Sequence, residues 1–369
     1  MELDFSVDQE ALRDSIRAVL AKEAPVALAR EVAERGSGAD RLARVAVELG
    51  WPALTVPEEF GGIGLGAVEA GILAEELGRV IAPGPLLTTL CGFVPVIDHL
   101  GTNEQRARFL RAVASGELAG TIAPCGVAGA PSGVTAVRDA RGITLSGRAI
   151  ALIEPAAHGE IAAAVQGPGG AGAVVVPVAE ATVVPMESID PTRILAHVGF
   201  DGVHVGADRV LGGLDAFGGR DALIASALLP AVSSLALETV GLCQSIFDVT
   251  LEYARHREQF GVPIGSFQAI KHKFADMIVA LERARATGYL AALCIAERDE
   301  RAAINTSVAK AAASDAQRLI VKEGIQIHGG IGYTWEHDMH LYAKRAKANE
   351  ALYGTANEHR ARIAELLGV

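Results

Sequence analysis

Hydrophobic positions recur at helical spacing from the start of the chain. "SVDQEALRDSIRAVLAKEA" opens on Ser6, an N-cap residue, and places Leu12, Ile16, Val19 and Leu20 on one face. "RLARVAVELG" ends at Gly50, a C-cap. "VPEEFGGIGLG" (56–66) is a glycine-rich loop before the helix "AVEAGILAEELGRV", and "TNEQRARFLRAVASGE" is a further helix with Thr102 as its cap. Near Ala119 the texture changes. Up to about Gly213 the chain is β-branched and broken by glycine and proline, and "TAVRDARGITLSG" reads as a hairpin turning at 139–142. From about Asp221 helical spacing returns in "ALIASALLPAVSSLALETVGLCQSIFDVTLEYARHR", where Pro230 starts or kinks the helix. Two more long helices follow, the second ending at Gly329 and Gly330.

Long antiparallel helices with short connections predict a four-helix bundle. The chain therefore reads as an α+β multidomain protein. Its parts are an N-terminal helical domain (1–118), a middle β-domain (119–213) and a C-terminal helical bundle (214–369).

Composition agrees with a packed globular chain of two or three units: of 369 residues, 50% are hydrophobic and 21% charged. A formal net charge of −11 argues against nucleic acid and anionic membrane as partners. The apolar runs contain polar residues or are too short to span a bilayer. The opening segment is acidic and amphipathic, unlike a signal peptide, so a cytoplasmic location is expected. Cys91, Cys125, Cys243 and Cys294 form no CxxC pair and read as small buried hydrophobes.

Two segments carry candidate chemistry. "RHREQFGVPIGSFQAIKHKFADM" (255–277) sets an Arg, an aromatic, a glycine turn and a Gln between two long helices. Such a corner can present a guanidinium to a pyrophosphate and a ring to a base, although on composition alone it is a polar loop. "EGIQIHGGIGYTWEHD" (323–338) has paired glycines at a helix end, which let another molecule approach the backbone. Its "GGIG" is no dinucleotide fingerprint, because no strand precedes it. His328, His337 and His340 lack the spacing and the carboxylates of a metal site.

Together and in this order, these motifs resemble the acyl-CoA dehydrogenase family over essentially the whole chain. "PEEFGGIGLG" looks like the family's N-terminal loop, "REQFGVPIGSFQ" like its R-x-x-F-G…Q segment and "QIHGGIGY" like its Q-x-x-G-G segment. The resemblance implies the acyl-CoA dehydrogenase fold and FAD-dependent desaturation of acyl-CoA thioesters at the α and β carbons. A carboxylate base takes the α-proton, and electrons pass on to an electron-transfer flavoprotein. It implies that Arg257, Phe260, Gln268, Gln326, Gly329, Gly330 and Thr355 bind FAD. The first six would reach across a subunit interface, in a dimer or tetramer, to the adenosine-pyrophosphate half of a neighbour's cofactor.

The chain departs from the family pattern in three places. The base is expected in a Tyr-Glu-Gly-Thr stretch, but "LYGT" puts Tyr353 in the Glu position. A phenol with a pKa near ~10 is a poor base at neutral pH. Members that place the Glu on the first bundle helix would have it near Ala231 and Val232. There the nearest acid, Glu238, lies about two turns away. In the β-domain, "APCGVAGAPSG" (123–133) replaces T-E-P-x-A-G-S-D, and "AIALIEPAAHG" follows "LSGR" where W-x-T is expected.

Contacts to this chain's own flavin ring thus look lost, while contacts to a neighbour's adenosine look kept. The family includes heteromeric α2β2 enzymes, notably in bacterial steroid side-chain degradation, in which a related partner completes the adenosine side. The expectation is a catalytically silent supporting subunit. One alternative is a homomeric FAD enzyme with a displaced base, such as Glu350, or altered chemistry such as flavin oxygenation. Another is a non-enzymatic acyl-CoA-binding scaffold.

Overall fold

The computed structural model describes residues 4–123, 133–152, 159–167 and 169–369. Cys125 and most of both departing β-domain segments, 124–132 and 153–158, lie outside these.

The N-terminal part comprises α1 (Val7–Glu23), α2 (Val26–Arg35), α3 (Ala39–Glu48), α4 (Ala67–Arg79), α5 (Val94–Leu100) and α6 (Asn103–Ala114). Ser6 and Thr102 cap α1 and α6 in reciprocal boxes with Gln9 and Gln105, so both predicted starts are seen. Gly50 follows the end of α3 in the left-handed conformation (φ 71°).

Strands follow: β1 (Gly120–Ala123), β2 (Val134–Arg138), β3 (Gly142–Leu152), β4 (Glu160–Gly167), β5 (Gly170–Pro177), β6 (Thr182–Pro185) and β7 (Leu195–Gly206). They pair in the order β1-β4-β2-β3-β7-β6, with β5 on β4. The β2–β3 hairpin turns where Asp139 Oδ1 accepts from the amides of Arg141 (2.7 Å) and Gly142 (2.9 Å). Val134, Leu145, Val174, Val198 and Phe200 form the core of this sheet.

The C-terminal part holds α7 (Asp221–Ala227), α8 (Leu229–His256), the two-residue strands β8 (Glu258–Gln259) and β9 (Val262–Pro263), α9 (Gln268–Ala296), α10 (Ala302–His328), α11 (Met339–Ala351) and α12 (Ala356–Leu367). Pro230 sits in the first turn of α8, where its missing N–H costs nothing, and separates α8 from α7. One sequence expectation changes. The run Asp221–His256 is long and apolar enough by length and composition to cross a bilayer, yet 67% of its most apolar window is buried against the rest of the molecule. Its hydrophobicity serves the core.

Helix α4 crosses α8 almost backbone to backbone. A Cβ on Gly78 would stand 2.0 Å from the Glu238 carbonyl oxygen, and one on Gly241 would stand 1.8 Å from that of Glu75. Only glycine permits that approach, which joins the N-terminal helices to the bundle beside the site described next.

Candidate functional site

The corner between α8 and α9 is built by the backbone. Arg257 leaves helical geometry (φ −73°, ψ 120°) while its amide still donates to Tyr253 O at 2.8 Å. Strands β8 and β9 then make a hairpin whose two loop residues, Phe260 (φ 57°) and Gly261 (φ 80°), are both left-handed. That is the type I′ pattern, which favours Asn, Asp or Gly at both positions. Phenylalanine there is strained by ~1 kcal/mol or more. The strained ring is not packed away: Phe260 is 93% exposed, with Phe267 edge-on at 6.2 Å. Gln268 opens α9 and is exposed.

Helix α10 ends at the same end of the bundle. Tyr253 of α8 stacks on His328 (centroids 4.5 Å apart), its hydroxyl donates to His328 O at 3.4 Å, and Lys273 of α9 pairs with Glu323. Gln326 is exposed in the last turn of α10. Gly329 adopts φ 64°, ψ −140°, a conformation open essentially to glycine alone. A Cβ on Gly329 or Gly330 would meet nothing within 4 Å, so the space above both is open. Ile331 (46% exposed), Tyr333 (78%) and Trp335 (64%) continue the surface. The fold thus gathers Arg257, Phe260, Gln268, Gln326, Gly329 and Gly330 at one end of the bundle. A cation, an aromatic ring, two amides and accessible backbone suit the adenosine-pyrophosphate half of FAD. They form an outward face rather than an enclosed pocket.

Thr355 is not gathered there. It caps α12 in a box with Glu358, Thr355 N donating to Glu358 Oε2 at 2.7 Å. The adjacent Gly354 is tied to Lys310, and 18 residues of α10, about 27 Å of helix, separate Lys310 from His328.

Tyr353 lies at that second location. It is 6% exposed and left-handed (φ 56°), in the apolar cluster that includes Phe93, Ala231, Val232, Leu235 and Leu352. The cleft it lines with Leu87, Thr88, Arg193, Ala231, Ser234, Leu235 and Glu238 keeps about 20 Å³. That is room for about one water, not for a thioester. A larger cavity of about 480 Å³ lies next to it and shares Leu87, Thr88 and Arg193. It is lined mainly by apolar residues of α3 and of the segments 82–89 and 116–119.

Among the described residues, the carboxylates beside the cleft are tied up in ion pairs. Ala231 and Val232 are buried and apolar. Glu238 is 2% exposed and takes both oxygens to Arg193 (2.7 and 2.9 Å), with Arg345 at 2.8 Å. Burial pushes its pKa up, but the two guanidiniums outweigh burial and hold it below the usual carboxylate range. Arg345 also pairs with Asp190 and donates to Thr192 Oγ1 at 2.6 Å, while Arg193 donates to Asn349 Oδ1 at 2.7 Å. Glu350 pairs with Arg318 (2.8 Å) and Lys347 (2.9 Å). His328 donates through Nδ1 to Gly324 O and packs edge-on to His337. Among the described residues no group of three metal-ligating side chains occurs, and Cys91, Cys243 and Cys294 are buried free thiols.

Arg193, Arg345, Lys310 and His359 belong to this site and were missed in the sequence. Only Lys310 left a trace, as a lone cation in the alanine-rich stretch "SVAKAAAS".

The chain belongs to the acyl-CoA dehydrogenase family: the family's N-terminal domain matches residues 6–117 and its C-terminal domain residues 223–368. It is 32% identical over 353 residues to acyl-CoA dehydrogenase IpdE2 of Mycobacterium tuberculosis, covering 95% of this chain and 94% of the relative. Among solved structures it resembles the Tcur3481-Tcur3483 steroid ACAD (TM-score 0.86, 28% identity, 98% of each chain). The ChsE4-ChsE5 complex of Mycobacterium tuberculosis shares the fold (TM-score 0.89, 24% identity, 100% of this chain and 99% of that one). The family consists of FAD-binding oxidoreductases, so the comparison agrees with the fold and cofactor class expected from the motifs.

Proposed function

We propose that this chain is the supporting subunit of a heteromeric, FAD-dependent acyl-CoA dehydrogenase that desaturates a steroid-type acyl-CoA. One contrast carries the reading: the adenosine-binding face is open and projects outward, while the cleft holding the base position is closed by Tyr353 to about 20 Å³. The two-component steroid ACAD and the IpdE2 relative support it. FAD would supply the hydride acceptor on the partner polypeptide, and an electron-transfer flavoprotein would take the electrons onward. This chain's part is binding. Arg257 neutralises pyrophosphate charge, Phe260 covers the adenosine, Gln268 and Gln326 offer amides, and Gly329 and Gly330 let the cofactor reach the backbone. Thr355 lies with Tyr353, on the side of this chain's own silent cleft.

The test is the visible spectrum of the chain purified alone, mixed with FAD and desalted. Loss of the flavin bands is expected, and stoichiometric retention would overturn the reading. Tyr353→Glu in the isolated chain is expected to create no dehydrogenase activity, and measurable turnover would count against a silent cleft. A second reading, an acyl-CoA-binding scaffold without flavin chemistry, draws on the 480 Å³ apolar cavity, whose size suits a ligand. It predicts acyl-CoA binding by the isolated chain with no homologous subunit co-purifying.

A further inference from the structure

The turn that carries Tyr353 is held by a buried charge. Lys310 is 2% exposed and has no ion pair among the described residues. Its Nζ donates to the carbonyl oxygens of Asn349 (2.9 Å), Glu350 (3.2 Å) and Gly354 (2.9 Å). An ammonium has three N–H groups, and here all three go to the backbone of one turn. Asn349 and Glu350 lie in the last turn of α11, whose carbonyls lack intrahelical donors. Gly354 lies beyond Tyr353, so the ammonium bridges the tyrosine's own backbone from both sides. The Tyr353 carbonyl is bound separately, by Nε2 of His359 at 2.9 Å. His359 is 3% exposed and its Nδ1 has no partner among the described residues.

Burying an ammonium among dipoles is unfavourable, and burial pushes the Lys310 pKa down to about 8. The charged groups around it are Glu350, Glu358 and Arg318, with His359 close by. A methionine would fill the same space without that cost, and without the three bonds.

We propose that Lys310 is the positioning residue of the Tyr353 turn, its three carbonyl bonds holding the left-handed backbone that seats Tyr353 in the cleft. The inference rests on the reading above that Tyr353 closes the cleft. Without the clamp, the 349–354 carbonyls must turn outward to find water, and the tyrosine moves with them.

The test uses the full chain carrying Ala231→Cys, which places a thiol in the wall of the cleft, with and without Lys310→Met. Iodoacetamide labelling is followed by peptide mass spectrometry, and Cys243, fully buried in α8, is the internal control. Lys310→Met is expected to speed labelling at position 231 roughly tenfold or more, the effect of losing charge-assisted bonds, while Cys243 stays unreactive. An unchanged rate at 231 would overturn the proposal, as would parallel acceleration at Cys243, which signals general loosening. If Lys310→Met does not fold, amide exchange in the unsubstituted chain decides. Protection of Leu352 and Gly354 is expected, and exchange at free-peptide rates refutes the clamp. Flavin retention by the isolated chain would sink the supporting-subunit reading yet leave this labelling result standing.

Discussion

The two guanidiniums around Glu238 decide what that carboxylate can do. Arg193 and Arg345, 9% and 0% exposed, make it a structural anion, and Asp190 balances Arg345 on the other side. Removing one member strands the others: Arg345→Met is expected to cost about 3–5 kcal/mol in urea unfolding at pH 7. The folded pKa values of Glu238 and Asp190 are depressed. Their contribution is therefore present above the unfolded carboxylate range and is lost as pH falls through the lower folded values. The wild-type advantage over Arg345→Met should shrink in that acid window, and a constant difference would disprove the coupling. Lys310, whose folded pKa is depressed as well, gives the same direction with pH, although here the charged form is the disfavoured one. Below about 8 the buried ammonium carries its full desolvation cost. Between there and the ordinary lysine value of 10.5 the unfolded chain binds the proton more tightly, so folding gains as pH rises. The Tm of the wild type relative to Lys310→Met should climb from pH 8 to 10. None of these pairings was legible in the sequence, because the partners lie far apart in the chain and meet only in the folded molecule.

Helix boundaries were legible because their causes are local. Ser6, Thr102 and Pro230 act on their own first turns, and Gly329 ends α10 by its own φ. The corner hairpin was not, since Phe-Gly is no preferred I′ pair and two-residue strands leave no alternation to read. The α4–α8 crossing was also hidden: Gly78 and Gly241 matter through a helix remote in sequence. Gly241→Ala should force the helices apart and cost on the order of 1–3 kcal/mol or more by overpacking, measured as a fall in Tm. Thr355→Ala removes only a cap and should cost about 1 kcal/mol. A flat response at Gly241 would mean that the helices do not touch as closely as the structure places them.

At the scale of the molecule, the helical–β–helical order was legible from periodicity alone, whereas the candidate cofactor face was expected only through motif resemblance. The face itself explains why. Phe260, Tyr333 and Trp335 lie largely outside the chain's own packing, so no periodic pattern demands them. A side chain exposed in the subunit contributes little to the subunit's stability, typically within about 0.5 kcal/mol. Buried at the centre of an interface, an aromatic can be worth about 2 kcal/mol or more. Phe260→Ser should therefore leave the Tm of the isolated chain unchanged or slightly raised, because it removes an aromatic from a left-handed turn. When the chain is co-expressed with a homologous subunit bearing Glu at the position of Tyr353, the same change should lower the flavin recovered per complex. Melting curves of the chain and flavin absorbance of the complex check both arms. Equal loss in both would make Phe260 part of the chain's own fold. Loss confined to the complex would make it a contact with cofactor held by another polypeptide, which the strained and exposed geometry of this corner supports.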